Sequence, residues 1–338
     1  MERHRIYDFG ESLSREPVMR RMKDGRIVCT FLTGGPTEPH KENVLKMSYS
    51  DDDGVTWSVP KVIVEHSERG VWCTELFNEG DDPFLVVMTY DPANHYRELQ
   101  TFRAYSRDGG RTWEEPQSFP CGLNGVTLRQ GIVMSNGEWL FPLYWQRTVR
   151  HFDWGKWTNR REDPERGKAW PFCCGVAVSG DRGAHYQRYG CLADTYSLWE
   201  PNCVELEDGH IVMLMRDDSR PYLRRGDSYD YGRTWGEAVV TDLPNPNTKL
   251  TLMKIDGKIL LINNFRPEMG WAKRTNLEIW VSRDNMLSWT EKVQLAPPQE
   301  RFFYPHAFAD AQRRMLYVAY ENAAQHYLCK LPYAELGL

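Results

Sequence analysis

Apolar residues along this chain come in short runs of strand length, separated by tight polar turns. Asp24-Gly25-Arg26-Ile27-Val28, Asn136-Gly137-Glu138-Trp139-Leu140, Asp208-Gly209-His210-Ile211-Val212 and Asp256-Gly257-Lys258-Ile259-Leu260 share one plan. Asp-Gly or Asn-Gly between apolar runs is the best short-range hairpin signal, because these pairs accept the positive φ that a two-residue turn demands. Looser copies lie at Gly80 to Val86 and Gln312 to Val318. The turns start near 24, 80, 136, 208, 256 and 311. That spacing, usually about 50–56 residues, is the length of one four-stranded propeller blade.

A second pattern interleaves with the first. Ser-x-Asp-x-Gly-x-Thr-Trp is intact at Ser50–Trp57, Ser106–Trp113 and Ser228–Trp235, and worn at Ser179–Tyr186 and Ser282–Trp289. Ser and Asp side chains bond the backbone of a tight turn, Gly allows positive φ, and a closing Trp packs under the turn. Six turn copies predict an all-β, six-bladed β-propeller with blades of four antiparallel strands, formed by residues 1–338 as a single domain. A seventh blade would have to hide between 136 and 208. An insertion at about 147–170 explains that surplus better; it reads as a solvated loop, a lid or rim over a site, or an oligomer contact.

Composition narrows the function classes. The 338 residues carry 42 Lys+Arg against 47 Asp+Glu, a net charge of −5, and no basic stripe, which argues against nucleic acid as a partner. No apolar run approaches the ~18 residues of a membrane span, so no membrane partner is expected. The start, Met1-Glu2-Arg3-His4-Arg5-Ile6-Tyr7, lacks the apolar stretch of a signal peptide, and a cytoplasmic location is the expectation. Eight cysteines form no Cys-x-x-Cys pair; free buried thiols and an inert Cys173-Cys174 pair are expected, with no metal and no cofactor.

The Ser-x-Asp-x-Gly-x-Thr-Trp octapeptides resemble the Asp-box (BNR) repeats of the sialidase superfamily, and the resemblance spans nearly the whole chain. It implies three arginines around a substrate carboxylate, which guanidinium forks match with paired charge-assisted bonds. Arg15 in Ser14-Arg15-Glu16-Pro17 matches the family's Arg-x-Pro, although Glu16 stands where the family has an apolar residue. Arg216 closes the hairpin after Asp208-Gly209, and Arg274 precedes the strand of the last Asp box. Tyr304 in Phe303-Tyr304-Pro305 is the implied nucleophile and Glu200 in Trp199-Glu200-Pro201 its base. Sialidases depart from the two-carboxylate rule by using a tyrosine, since a neutral phenol is not repelled by a carboxylate on the anomeric carbon.

Each of these residues also has a structural reading. Arg15 could be a packing arginine, Glu200 and Arg216 an ion pair across a hairpin, Arg274 a strand-edge charge and Tyr304 an amphipathic core residue. The family's acid, an Asp before the first Asp box, is missing from Gly34–Asn43. His40 or Glu38 could replace it, with His40 slightly favoured because histidine titrates near neutrality; Glu42 is a third stand-in. His306 could assist near Tyr304 or be a satisfied strand histidine, His151 could reach in from the insertion or face solvent, and Trp72 and Trp145 could stack on sugar rings or belong to the core. The implied partner is an acidic oligosaccharide or glycoside, cleaved by an exo-acting glycoside hydrolase. A polysaccharide lyase or a histidine-dependent glycosidase acting on uronate- or rhamnose-containing glycans, and glycan binding without turnover, are the rivals. Neither excludes a homo-oligomer.

Overall fold

The structure, a computed structural model, describes residues 1–10, 12–91, 99–123, 125–146, 172–193 and 197–338. The insertion at 147–170, with His151, lies outside the described residues. The chain builds six antiparallel sheets arranged as a β-propeller. Blade 1 holds β2 (Ser14–Arg21), β3 (Ile27–Thr33), β4 (Val44–Ser50) and β5 (Lys61–Val64). Blade 2 holds β6 (Gly70–Phe77), β7 (Phe84–Tyr90), β8 (Gln100–Tyr105) and β9 (Gln117–Ser118). In blade 3 the inner strand is split into β10 (Val126–Leu128) and β11 (Ile132–Val133), followed by β12 (Trp139–Gln146), β13 (Phe172–Ser179) and β14 (Gln187–Leu192).

Blade 4 holds β15 (Leu198–Glu207), β16 (His210–Asp217), β17 (Tyr222–Ser228) and β18 (Val239–Pro244). Blade 5 holds β19 (Thr251–Ile255), β20 (Lys258–Asn264), β21 (Leu277–Ser282) and β22 (Glu291–Gln294). Blade 6 has three strands from the end of the chain, β23 (Phe303–Asp310), β24 (Met315–Glu321) and β25 (Gln325–Pro332). The first strand of the chain, β1 (Glu2–Asp8), is its fourth, pairing Glu2 with Lys330 and Asp8 with Gln325. The ring is therefore closed by hydrogen bonds between the two ends of the chain, which leaves no open edge at the seam.

Each Asp-Gly or Asn-Gly turn joins an inner strand to the second strand of its blade. Gly25, Gly137, Gly209 and Gly257 take φ of 94°, 83°, 78° and 76°. All five octapeptides, the worn ones included, form the same loop between the third and fourth strands. In the first, Ser50 Oγ donates to Asp52 and accepts the Gly54 amide at 2.8 Å, while Asp52 accepts both the amide and the hydroxyl of Thr56. The last copy repeats these bonds with Met286 in the glycine position at φ 68°.

Apolar faces of neighbouring sheets pack into clusters between blades; Ile6, Met19, Phe31, Phe308 and Tyr317 seal the seam between blades 6 and 1. Trp72 and Trp145 lie buried between blades 2 and 3, so of the two readings, sugar stacking or core, they are core. Gly54 shows how tight the seam is. Its φ is +84°, and an added Cβ would stand 2.2 Å from the Leu328 side chain. Gly54→Ala is expected to cost about 1–3 kcal/mol, through backbone strain and overpacking, read as a lower urea midpoint.

Antiparallel order fixes where chemistry can gather. The turns and Asp boxes occupy one end of the ring. The starts of inner strands, the ends of second strands and the loops that follow them occupy the other. Arg15, Glu38, His40, Glu200, Arg216, Arg274 and Tyr304 all fall on that second end.

Candidate active site

Three inner strands carry the same irregularity. β2 bulges between Arg15 and Val18, β15 between Trp199 and Asn202, and β23 between Phe303 and His306. The extra residues are Glu16-Pro17, Glu200-Pro201 and Tyr304-Pro305. Glu16, Glu200 and Tyr304 take φ of 52°, 46° and 53°. A left-handed backbone at a non-glycine residue costs on the order of 1–3 kcal/mol and persists where the surroundings over-determine it. A bulge re-aims the side chain it carries. Here it directs all three toward the axis: Glu16, from blade 1, reaches Arg129 of blade 3 at 2.5 Å and Lys249 of blade 5 at 3.6 Å.

Arg216 and Arg274 act on Tyr304, and Arg15 joins Arg274 at Trp271. Arg216 donates to Glu200 at 2.9 Å, lies 3.5 Å from Asp218, and bonds the side chain of Asn247 through Nε. Arg274 donates to the Asn247 carbonyl at 2.7 Å, and its guanidinium carbon is 5.2 Å from the centre of the Tyr304 ring. Arg15 and Arg274 both lie on the Trp271 indole, at 4.2 and 4.6 Å. Asn247 thus links Arg216 to Arg274, and Trp271 links Arg274 to Arg15. Arg274 is buried, yet among the described residues its Nε and Nη1 have no hydrogen-bond partner. Buried guanidinium donors without partners are costly unless a ligand completes them.

Burial pushes the Tyr304 phenol up to about 12; Glu200 adds to the rise and Arg274 and Arg216 oppose it. Burial also works to raise Glu200, but Arg216 and then Arg129 overcome it and hold the carboxyl at about 2. Burial lowers the Lys249 ammonium to about 8 against the pull of Glu16. Arg129, Asn202, Lys249 and His306 line a small cavity of about 10 Å³. A larger cavity of about 690 Å³, between Arg20, Asp24, Phe308 and Arg313, opens at the turn end of the ring and contains none of the clustered residues.

The remaining predicted residues divide. Glu38 lies 3.6 Å from Arg15, and its charge raises the Tyr304 phenol. His40 serves its own loop: its Nδ1 accepts the Glu42 amide at 3.2 Å, and its own amide donates to Asn43. The geometry thus brings Glu38, rather than the slightly favoured His40, to the arginines. His306 takes the place of a strand histidine with its ring satisfied. It sits deeper, accepting the Met19 amide at 3.2 Å, beside Arg20 and 3.8 Å from Glu75, with burial and then Arg20 pushing its pKa well below the usual histidine range.

Sequence reasoning missed Asn247, Trp271 and the Glu16–Arg129–Lys249 group. Glu16 was within reach, since Glu16-Pro17, Glu200-Pro201 and Tyr304-Pro305 are one recurring pair. Asn247 and Trp271 carry no local signal, because the loops before and after β19–β20 place them. Glu16→Gln removes the carboxylate in contact with two buried cations, Arg129 and Lys249. A loss of about 3 kcal/mol in denaturant unfolding is expected, as for breaking a buried ion pair on one side.

The chain matches the family described as "BNR repeat-like domain" over residues 25–317. A sialidase of Bacteroides fragilis (strain YCH46) is 21% identical over 286 residues, covering 79% of this chain and 48% of that protein. The chain therefore spans about half the length of this curated relative. Among solved structures, the Hadza microbial sialidase Hz136 superposes with a TM-score of 0.75 at 18% identity, over 95% of this chain and 66% of that one. The Trypanosoma rangeli sialidase in complex with the inhibitor DANA gives 0.70 at 16%, over 96% and 56%. A protein of unknown function from Dyadobacter fermentans DSM 18053 gives 0.72 at 16%, over 97% of both chains.

Proposed function

Because the chain belongs to the BNR repeat-like domain family, as a divergent member of the sialidase superfamily, we propose that it is a sialidase-type glycoside hydrolase acting on a terminal acidic sugar. The observation that carries this reading is Arg274, whose buried Nε and Nη1 stand, among the described residues, without partners beside Arg216, Arg15 and the Tyr304 ring. A carboxylate supplies the paired acceptors that suit the Arg274 Nε and Nη1 donors.

In this reading Arg15, Arg216 and Arg274 hold the sugar carboxylate, and Tyr304 Oη attacks the anomeric carbon. Its proton passes to Glu200, and Glu38 protonates the departing glycosidic oxygen. Water then releases the sugar from Tyr304. Arg216 gives the substrate a second task. It now holds Glu200 at about 2, too weak a base for a phenol near 12. An incoming carboxylate competes for Arg216 and loosens its grip on Glu200. Glu200 then becomes more basic only when an acidic sugar is bound.

The test is incubation with a fluorogenic α-sialoside. Release of the fluorophore together with free sugar is the expected result. Absorbance from a new unsaturated uronate, on uronate-containing oligosaccharides, marks elimination instead. Binding of the sugar with no product of either kind marks a glycan-binding propeller.

A further inference from the structure

Six of the eight cysteines are buried, whereas Cys121 and Cys191 are exposed. Cys191 sits on β14, where the ladder to β13 slips. Cys174 pairs with Leu192 and Val176 with Tyr189, so Gly190 and Cys191 both face the single residue Gly175. Gly190 takes φ +76°, the left-handed conformation that a glycine-built bulge uses. The bulge turns the Cys191 side chain toward β13, and its Sγ lies 3.4 Å from Sγ of Cys173. On its other side Cys191 lines a surface cavity of about 530 Å³, together with Gly190, Leu192, Arg224 and Trp235. One thiol is therefore reachable from solvent, and a second, buried thiol waits in contact behind it.

We propose that Cys191 and Cys173 form an oxidation site for small hydroperoxides. The Cys191 thiolate attacks the peroxide: an S–O bond forms, the O–O bond breaks, and the departing oxygen leaves as an alcohol or water after taking a proton. Cys173 then attacks the sulfenic sulfur, forming S–S and breaking S–O, and the hydroxide leaves as water with the proton of the Cys173 thiol. Two thiols lose two electrons and the peroxide gains them. Closing from 3.4 Å to the ~2.05 Å of a disulfide joins side chains on two strands already paired. The two neighbours Cys173 and Cys174 differ in this respect: Cys173 touches the exposed Cys191 thiol.

The experiment treats the whole chain with hydrogen peroxide, blocks remaining thiols under denaturing conditions, and maps the peptides by mass. The parent is expected to lose two alkylatable thiols and two hydrogens, with fragments joining Cys191 to Cys173. Cys174→Ser is expected to form the same crosslink as the parent, and Cys191→Ser none. In Cys173→Ser the sulfenic acid persists on Cys191 and is captured by a 1,3-diketone reagent. Because the exposed Cys191→Ser change leaves the core intact, it keeps the test decisive if Cys173→Ser folds poorly. Cys191 left reduced, carried only to sulfinic or sulfonic acid in the parent, or joined to Cys174 or Cys203 instead, overturns the proposal.

Discussion

Tyr304→Phe is expected to lower turnover of an α-sialoside by about 10³-fold or more, with the affinity for the free sugar nearly unchanged. The change removes one oxygen from a buried ring that packs edge-on against Phe303 and lies under Arg274, so the site keeps its shape. Only the attacking atom is lost. Pre-steady-state measurement separates the outcomes: the parent is expected to build up a covalent sugar on Tyr304 and the variant none. Full activity in Tyr304→Phe would assign the attack to water and remove the phenol from the mechanism.

Arg274→Ala carries the second large effect, and its sign differs between function and stability. Among the described residues Arg274 has no ion pair, and one bond, to the Asn247 carbonyl, is its polar anchor. Removing a buried cation whose Nε and Nη1 are unsatisfied is expected to leave the unfolding midpoint unchanged or higher. Affinity for an acidic sugar is expected to fall by about 30- to 1000-fold, the range for deleting one side of a desolvated charge pair. Arg274→Lys should recover only part of this, since a point charge cannot reproduce the planar fork. Chemical denaturation alongside calorimetric titration reads both halves. A variant that lost stability and affinity together would make Arg274 a structural residue.

The ring was legible in the chain because its signals are local and repeated. Asp24-Gly25 and Asp52 with Thr56 specify their turns through their own backbones, and the worn copy with Met286 still closes in the same way. The arginines were legible by resemblance, since each sits at the end of a strand whose place in the blade the repeats define. Glu200 and Arg216 are the hairpin ion pair of the structural reading and members of the cluster as well. What the chain withheld depends on contacts across the ring. Glu38 and His40 lie two residues apart in one loop, and only the folded path of that loop brings Glu38 to Arg15. His306 follows Tyr304 by two residues, but the bulge between Phe303 and His306 and the contact with Arg20 assign it to a deeper layer. Trp271 reaches two arginines from a loop with no repeat signature.

The claim on which the functional reading turns is that Arg15, Arg216 and Arg274 together grip a sugar carboxylate. Calorimetric titration of the protein with N-acetylneuraminic acid and with its methyl ester isolates that grip, because the two ligands differ only in the charge and fork geometry of one group. Measurable binding of the acid, weakened by about 30-fold or more in the ester, is the predicted result. Equal affinity for the two, or no loss of the difference when Arg274 is replaced by Ala, would contradict it.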